Sequence, residues 1–148
     1  MLIRKFDILD APEISSVIRR SILNRDNRGY TLEQLYSIAN YYCAENLCSE
    51  LDKKMTYVCV VNGKIVGTAT LRIDEIMAVF ITPEYQGNGI GKRFMRLLED
   101  EAVKRGLSRV WLVSGLFTVP FYESLGYKFV RKKIHPSWGK ASVMEKFL

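Results

Sequence analysis

The chain of 148 residues has a single histidine, His135, and only three cysteines, Cys43, Cys48 and Cys59, none of them in a CxxC pair. That shortage excludes the usual zinc spacings, and the odd cysteine count predicts reduced thiols in the core or near the surface. No apolar run approaches the roughly 18 to 20 residues that a membrane span needs. The N-terminus, Met1-Leu2-Ile3-Arg4-Lys5-Phe6-Asp7, lacks the basic, apolar, small-residue order of a signal peptide. The expectation is a soluble, cytoplasmic protein with no metal centre. Internal repeats and low-complexity linkers are also missing. A hydrophobic content of 48% and a charged content of 26% therefore predict one domain over residues 1–148, built on one core.

Acidic residues are scarce at one end. Of the net charge of +6, five units fall between Lys128 and Leu148, where Lys128, Arg131, Lys132, Lys133, Lys140 and Lys146 face Glu145 alone. One reading is a solvated strand edge whose lysines prevent association. The other is attraction of an acidic ligand or a nucleic acid. Stacking aromatics are absent there apart from Trp138, which disfavours nucleic acid.

What the chain does have is ordered punctuation. Leu2 to Phe6 alternates as a first strand. Asp10-Ala11-Pro12-Glu13 reads as a capping box, and Ile14, Val17, Ile18 and Ile22 follow at helical spacing, predicting a helix from Ala11 to Leu23. Asn24 to Gly29 reads as a mobile polar turn. Thr31-Leu32-Glu33-Gln34 is a second capping box, opening a helix over Leu32 to Ala44. Its tyrosines, Tyr36, Tyr41 and Tyr42, occupy more than one face, so some of them are available to line a cleft. Asn62-Gly63 is a strong hairpin signal between strands Met55 to Val61 and Ile65 to Ile73. A tight link near Asp74 leads to a third strand, Glu75 to Ile81.

Beyond that strand, helical periodicity covers Ile90 to Arg105 and stops at Gly106. The near-continuous apolar strand Ser108 to Ser114 then completes a right-handed parallel crossover. Thr118-Val119-Pro120 starts a short helix stopped by Gly126. Strands Tyr127 to Lys132 and Ala141 to Phe147 close the chain around a loop containing His135-Pro136-Ser137-Trp138-Gly139.

Between the third strand and its helix lies Gln86-Gly87-Asn88-Gly89-Ile90-Gly91-Lys92. Glycines at alternate positions leave backbone N–H groups uncovered at the positive end of a helix dipole, a seat for phosphate. A nucleoside-triphosphate loop needs glycine where Gln86 stands and a hydroxyl where Arg93 stands. A dinucleotide fingerprint needs a third glycine where Lys92 stands, and an acid within Leu107 to Gly115, which has none.

The Gln/Arg-x-x-Gly-x-Gly spacing of Gln86 to Gly91 follows Val79-x-Ile81-x-Pro83. Pro120-Phe121-Tyr122-Glu123-Ser124-Leu125-Gly126-Tyr127 comes about thirty residues later. In this the chain resembles the GNAT superfamily of N-acetyltransferases, closely from Ile65 to Tyr127 and in element order throughout. The resemblance implies a mixed α/β fold: a central, largely antiparallel sheet with one parallel strand-helix-strand crossover and helices on both faces. It implies acetyl-coenzyme A as donor, its pyrophosphate held by amides of Gly87, Asn88, Gly89, Ile90 and Gly91 with help from Lys92 or Arg93. Val79, Phe80 and Ile81 would run beside the pantetheine arm, with the sheet splayed between the third strand and Ser108 to Ser114. Ser114 stands where members of the family often carry Asn.

An amine of pKa about 10.4 is almost wholly protonated at neutral pH, so transfer needs a base. Glu75, eleven positions before Gln86, is similar in place to the glutamate base of some members, with Asp74 or a water as alternates. Tyr122 matches the tyrosine that protonates the departing thiolate. The acceptor is an unidentified amine; the basic C-terminal segment favours a small or acidic one over a cationic peptide. A non-catalytic acyl-coenzyme A sensor on the same fold is the alternative, and either a monomer or a homodimer fits.

Overall fold

The computed structural model describes residues 1–23, 30–135 and 139–148. The turn predicted over Asn24 to Gly29, and Pro136 to Trp138 of the last predicted loop, lie outside the described residues. The sheet grows from its turns. Asn62 and Gly63 both take positive φ, 50° and 75°, and fold β2 (Lys54–Val61) back on β3 (Lys64–Arg72). The next turn contains only Ile73 and Asp74, because Arg72 pairs directly with Glu75 at the start of β4 (Glu75–Ile81). Ile73, predicted as strand, instead sits in this turn at φ 57°, a conformation that crowds a β-branched side chain.

β1 (Leu2–Lys5) lies antiparallel on β2. After β4, the crossover helix α4 (Ile90–Lys104) leads to β5 (Arg109–Ser114), the short helix α5 (Val119–Ser124) follows, and β6 (Lys128–His135) and β7 (Gly139–Phe147) form a hairpin. The order across the seven strands is β1-β2-β3-β4-β5-β7-β6, and only β4 and β5 run parallel. Such a mixed, largely antiparallel sheet with one crossover is the predicted architecture. No helix among the described residues is long and apolar enough to cross a membrane.

The apolar stripe of α4, with Phe94, Met95 and Leu98 fully buried, packs on one face over Ala69, Leu71, Val110 and Leu112. Gly67 permits this contact: a Cβ there would lie 3.1 Å from both the Phe80 carbonyl oxygen and the Phe94 ring. On the opposite face α1 (Ala11–Leu23) and α2 (Leu32–Tyr41) cover Val58, Ile65 and Ala78 with Ile14, Val17, Ile18 and Leu35. The sheet thus has two apolar layers, one on each side.

Two predicted helix starts resolve differently. The box at Thr31 and Gln34 forms as expected, with Gln34 N donating to Thr31 Oγ1 at 3.1 Å and Thr31 N to Gln34 Oε1 at 2.9 Å. Asp10 instead closes a box with Asp7, because its carboxylate accepts from Asp7 N and from Arg4, whose guanidinium holds it below the usual carboxylate range. Glu13 is thereby released to reach the sheet, accepting Ile65 N at 2.8 Å. The second helix stops at Tyr41 rather than Ala44, since Tyr42 leaves helical geometry, and the short α3 (Ala44–Leu47) follows. All three cysteines are unpaired.

Ile73 supplies a test of this turn. A left-handed L-residue costs about 1 to 2 kcal/mol, and Ile73 is half exposed, so little burial is lost on removing it. Ile73→Gly should raise stability in urea unfolding by about 1 kcal/mol after glycine's own entropic cost. A loss of stability would contradict the strain.

Candidate functional site

β4 carries the site because it does two unusual things. Its pairing with β5 is limited to Glu75 with Trp111 and Ile76 with Leu112, after which the two strands part. It also contains a bulge opposite Ala69, where Ala78 takes φ 53° and the register slips between Thr70–Met77 and Thr68–Phe80. The bulge reverses side-chain parity. Ile76 faces the α4 layer, but so do Val79 and Ile81, while Ala78 and Phe80 join the layer under α1 and α2. Without that extra residue Phe80 would point away from Glu75. With it, both line the same cleft.

The cleft encloses about 200 Å³ between α2, the splayed part of β4, the end of β5, α5 and the inner face of β6. Glu75 and Tyr122 both line it, as do Val79 and Phe80. Glu75 is half-buried, and burial pushes its carboxyl above the ordinary value against the opposing pull of Lys133 and Arg72. Tyr122 is 9% exposed at the base of α5, packed edge-on against Phe121 and Tyr127 at centroid distances of 5.1 and 5.9 Å. Tyr42 forms a wall with Phe80, their rings 5.3 Å apart and nearly perpendicular. Its phenol is raised by burial first and then by Tyr41, Glu75 and Tyr122, which places these groups in one electrostatic neighbourhood.

Asp74, the alternate carboxylate, does not line the cleft. Its Oδ1 accepts the Trp111 indole N–H at 3.0 Å, and Arg109 approaches Oδ2 at 3.9 Å, so it braces the start of the β4–β5 pair.

The glycine loop begins where β4 ends. Gln86 Nε2 donates to the Ile81 carbonyl at 3.0 Å and Asn88 Nδ2 to Tyr85 O at 3.1 Å, so both side chains fold back on the loop. Gly87 and Gly89 take φ 79° and 77°, with open space where a Cβ would stand. Gly89 caps α4 without a side chain, so the first-turn N–H groups have neither an intrahelical acceptor nor a side-chain cap. Ile90 and Gly91 turn inward, and a Cβ on Gly91 would meet Ile81 and Phe121 at 3.2 Å, tying the loop to the helix that carries Tyr122. Lys92 and Arg93 are exposed on the first turn of α4. The loop is thus open, positive and backbone-lined, as an anionic ligand requires.

Ser114 is buried. Its hydroxyl lies 2.8 Å from Thr118 Oγ1 and donates to Gly115 O at 2.9 Å, so it shapes the β5–α5 turn. Three contributors are not evident from the sequence. Tyr30 accepts Leu116 N at 3.1 Å and sits where a Cβ on Gly115 would stand, locking the segment before α2 to the β5–α5 turn. Lys133 and His135, two apart on β6, both line the cleft. Their alternation is the only signal of this in the sequence, and it cannot say which face of β6 turns inward. Among the described residues no cluster of His, Cys, Asp or Glu suits a metal ion.

Residues 20–127 match the model of the acetyltransferase (GNAT) family. A ribosomal-protein-alanine N-acetyltransferase of Escherichia coli is 28% identical over 95 residues, 58% of this chain and 64% of that protein. A glucosamine 6-phosphate N-acetyltransferase of Trypanosoma brucei brucei is 34% identical over 77 residues, 45% of this chain and 52% of that protein. The chain thus aligns with between half and two thirds of these relatives. A GCN5-related N-acetyltransferase of Rhodopseudomonas palustris shares the fold at a TM-score of 0.89 and 23% identity, covering 99% of this chain and 95% of that one. The PaiA N-acetyltransferase of Thermoplasma acidophilum, solved with coenzyme A, superposes at 0.85 and 23% identity over 99% and 98%. With its splayed sheet, glycine loop and a family match over most of its length, the chain belongs to the GNAT family of acetyltransferases.

Proposed function

We propose that the protein transfers an acetyl group from acetyl-coenzyme A to a primary amine by direct attack. The observation that carries this reading is the parting of β4 from β5 beyond Ile76, beside a backbone-lined anion seat, with Glu75 and Tyr122 on the one cleft that the gap opens into. Amides of Gly87 to Gly91 and the α4 dipole hold the donor's pyrophosphate, with Lys92 or Arg93 adding charge. The unpaired edge of β4 at Val79 to Ile81 accompanies the pantetheine amides, and an N–H near Val79 polarises the thioester carbonyl. The buried Ser114 orders the turn at the far side of that gap.

Glu75, directly or through a water, takes a proton from the acceptor ammonium. The neutral nitrogen forms its bond to the carbonyl carbon, the carbon–sulfur bond breaks as Tyr122 gives its phenol proton to the departing thiolate, and the surplus proton on the new amide nitrogen returns to the Tyr122 phenolate directly or through water. Phenol and thiol pKa values, about 10 and 8.5, are close enough for that transfer. Burial raises the Glu75 carboxyl, which makes it a stronger base than a surface carboxylate.

Three outcomes test this. Acetyl-coenzyme A should bind in calorimetry, and Gly89→Val, which forces a β-branched residue into positive φ, should weaken binding at least about tenfold; absence of binding to the wild type would refute the donor. Tyr122→Phe should lower turnover by about 10² or more with coenzyme affinity unchanged, and unaltered turnover would remove Tyr122 from the mechanism.

Glu75 makes a prediction of opposite sign for activity and stability. Because its pKa is raised on folding, the stability it contributes is complete below the unfolded carboxylate value and falls as pH rises through the folded value. Glu75→Gln should therefore lose turnover, yet its Tm relative to wild type should climb as pH rises from the unfolded carboxylate value, about 4.3, through the raised folded value. A Tm difference that does not change with pH would contradict the buried-carboxylate environment.

A further inference from the structure

The cleft wall has a charge pattern that the transfer chemistry does not use. Among the described residues Glu75 is the only carboxylate lining it, and Lys133 and His135 on β6 line it too. Apart from Thr118 and Gly115 the remainder is apolar or aromatic, with Leu35, Ile38, Tyr41, Tyr42 and Phe80 forming the side under α2. Lys133 is half-buried, acts on Glu75 through space, and makes no ion pair with a carboxylate among the described residues. Burial and then Lys133 lower His135, and among the described residues Lys133 is the one lysine or arginine lining the cleft.

A polyamine or an aminoglycoside brings several ammonium groups and needs several carboxylates to receive them. One carboxylate beside a lysine is the opposite provision. It suits a molecule with one amine to meet Glu75, one anionic group to meet Lys133, and an apolar or aromatic body to lie against the side under α2. The volume of about 200 Å³ is smaller than the roughly 300–1,000 Å³ of cavities that take drug-sized ligands, and fits a body of amino-acid size.

Resting on the acetyl-transfer reading, we propose that the acceptor is a small aromatic or branched apolar amine carrying a carboxylate, and that Lys133 is the residue that selects it by binding that carboxylate. The same β6 lysines that read from sequence as a solvated edge then divide their labour. Lys132 is exposed, whereas Lys133 turns into the cleft with His135.

The experiment compares L-phenylalanine, L-phenylalaninamide and spermidine as acceptors, by thiol release from acetyl-coenzyme A and by calorimetry on protein saturated with coenzyme A. The amide has the same body and the more readily deprotonated amine, so a preference for the acid cannot come from amine basicity. Phenylalanine should exceed the amide at least about tenfold in kcat/KM and in affinity, the order expected of one charge-assisted hydrogen bond. Lys133→Met should erase that preference by lowering phenylalanine alone, with coenzyme affinity retained as the control for folding. Equal use of the acid and the amide, preference for the amide as for a peptide N-terminus, preference for spermidine, or an unchanged ratio in Lys133→Met would each overturn the proposal while transfer itself stands. Selective binding of phenylalanine with no thiol release from any amine would overturn the transfer reading and leave the anion site.

Discussion

Everything at the site depends on how briefly β4 and β5 are paired. Two parallel strands joined by a helix crossover ordinarily keep their ladder, because each lost pair leaves N–H and C=O groups without partners. Here the ladder ends after Ile76 and Leu112, and β4 then runs beside a gap. An open edge in the middle of a sheet is an unstable arrangement unless the flanking strands are fixed by other means. The same edge is what an amide-bearing ligand can complete.

Several contacts hold the gap at its width. At the closed end, Asp74 takes the Trp111 indole and Arg109, which also bonds Glu145 on β7 at 2.7 Å. On the α4 face, Glu99 accepts both the Tyr127 hydroxyl at 2.9 Å and Lys146 Nζ at 3.1 Å, joining helix to sheet beyond β5. On the other face, Tyr30 fills the space over Gly115, and Gln34 lies 2.6 Å from where a Cβ on Gly139 would stand. A side chain at either glycine would force the Tyr30 hydroxyl or the Gln34 carboxamide out of its place at the edge of the cleft. Small residues at the ends of β5 and β7 are therefore as necessary as the large ones between.

Local chemistry was readable and non-local geometry was not. The Asn62-Gly63 turn, the Thr31 cap, the Gly106 stop and the glycine loop each depend on the conformational range of one or two residues, so composition alone announces them. Ala78 carries no such mark: alanine has no preference for positive φ, and the bulge arises because the two layers require Ile76 and Phe80 on opposite faces. Asp10 was misread for a related reason. Its sequence neighbours offered a box with Glu13, but Arg4, brought alongside by β1, made the box with Asp7 the better one. The same limit hid Lys133, whose inward face is fixed by pairing with Ala141 on β7 and not by anything next to it.

On the proposed reading, donor and acceptor sides differ in the same way, which bears on how selectivity is built. The donor side is mostly backbone, contiguous from Val79 to Lys92, and its requirement is shape: glycines, a strand edge and a helix start. The acceptor side is mostly side chains, drawn from Ile22, Tyr30, α2, Tyr42, Glu75, Lys133 and His135. Tyr30, just before α2, meets the β5–α5 turn, and Gln34 of α2 lies beside Gly139 at the start of β7. Exchanging a side chain on α2 or β6 changes charge and volume in the cleft without altering the loop or the gap. Glu75 alone belongs to both sides, because it stands on the strand that shapes the donor's path and is tuned by Lys133 from the acceptor wall. If the acceptor is the proposed amino carboxylate, its neutralising of Lys133 would remove the cation that holds the Glu75 carboxyl down and so would raise its basicity as the amine arrives.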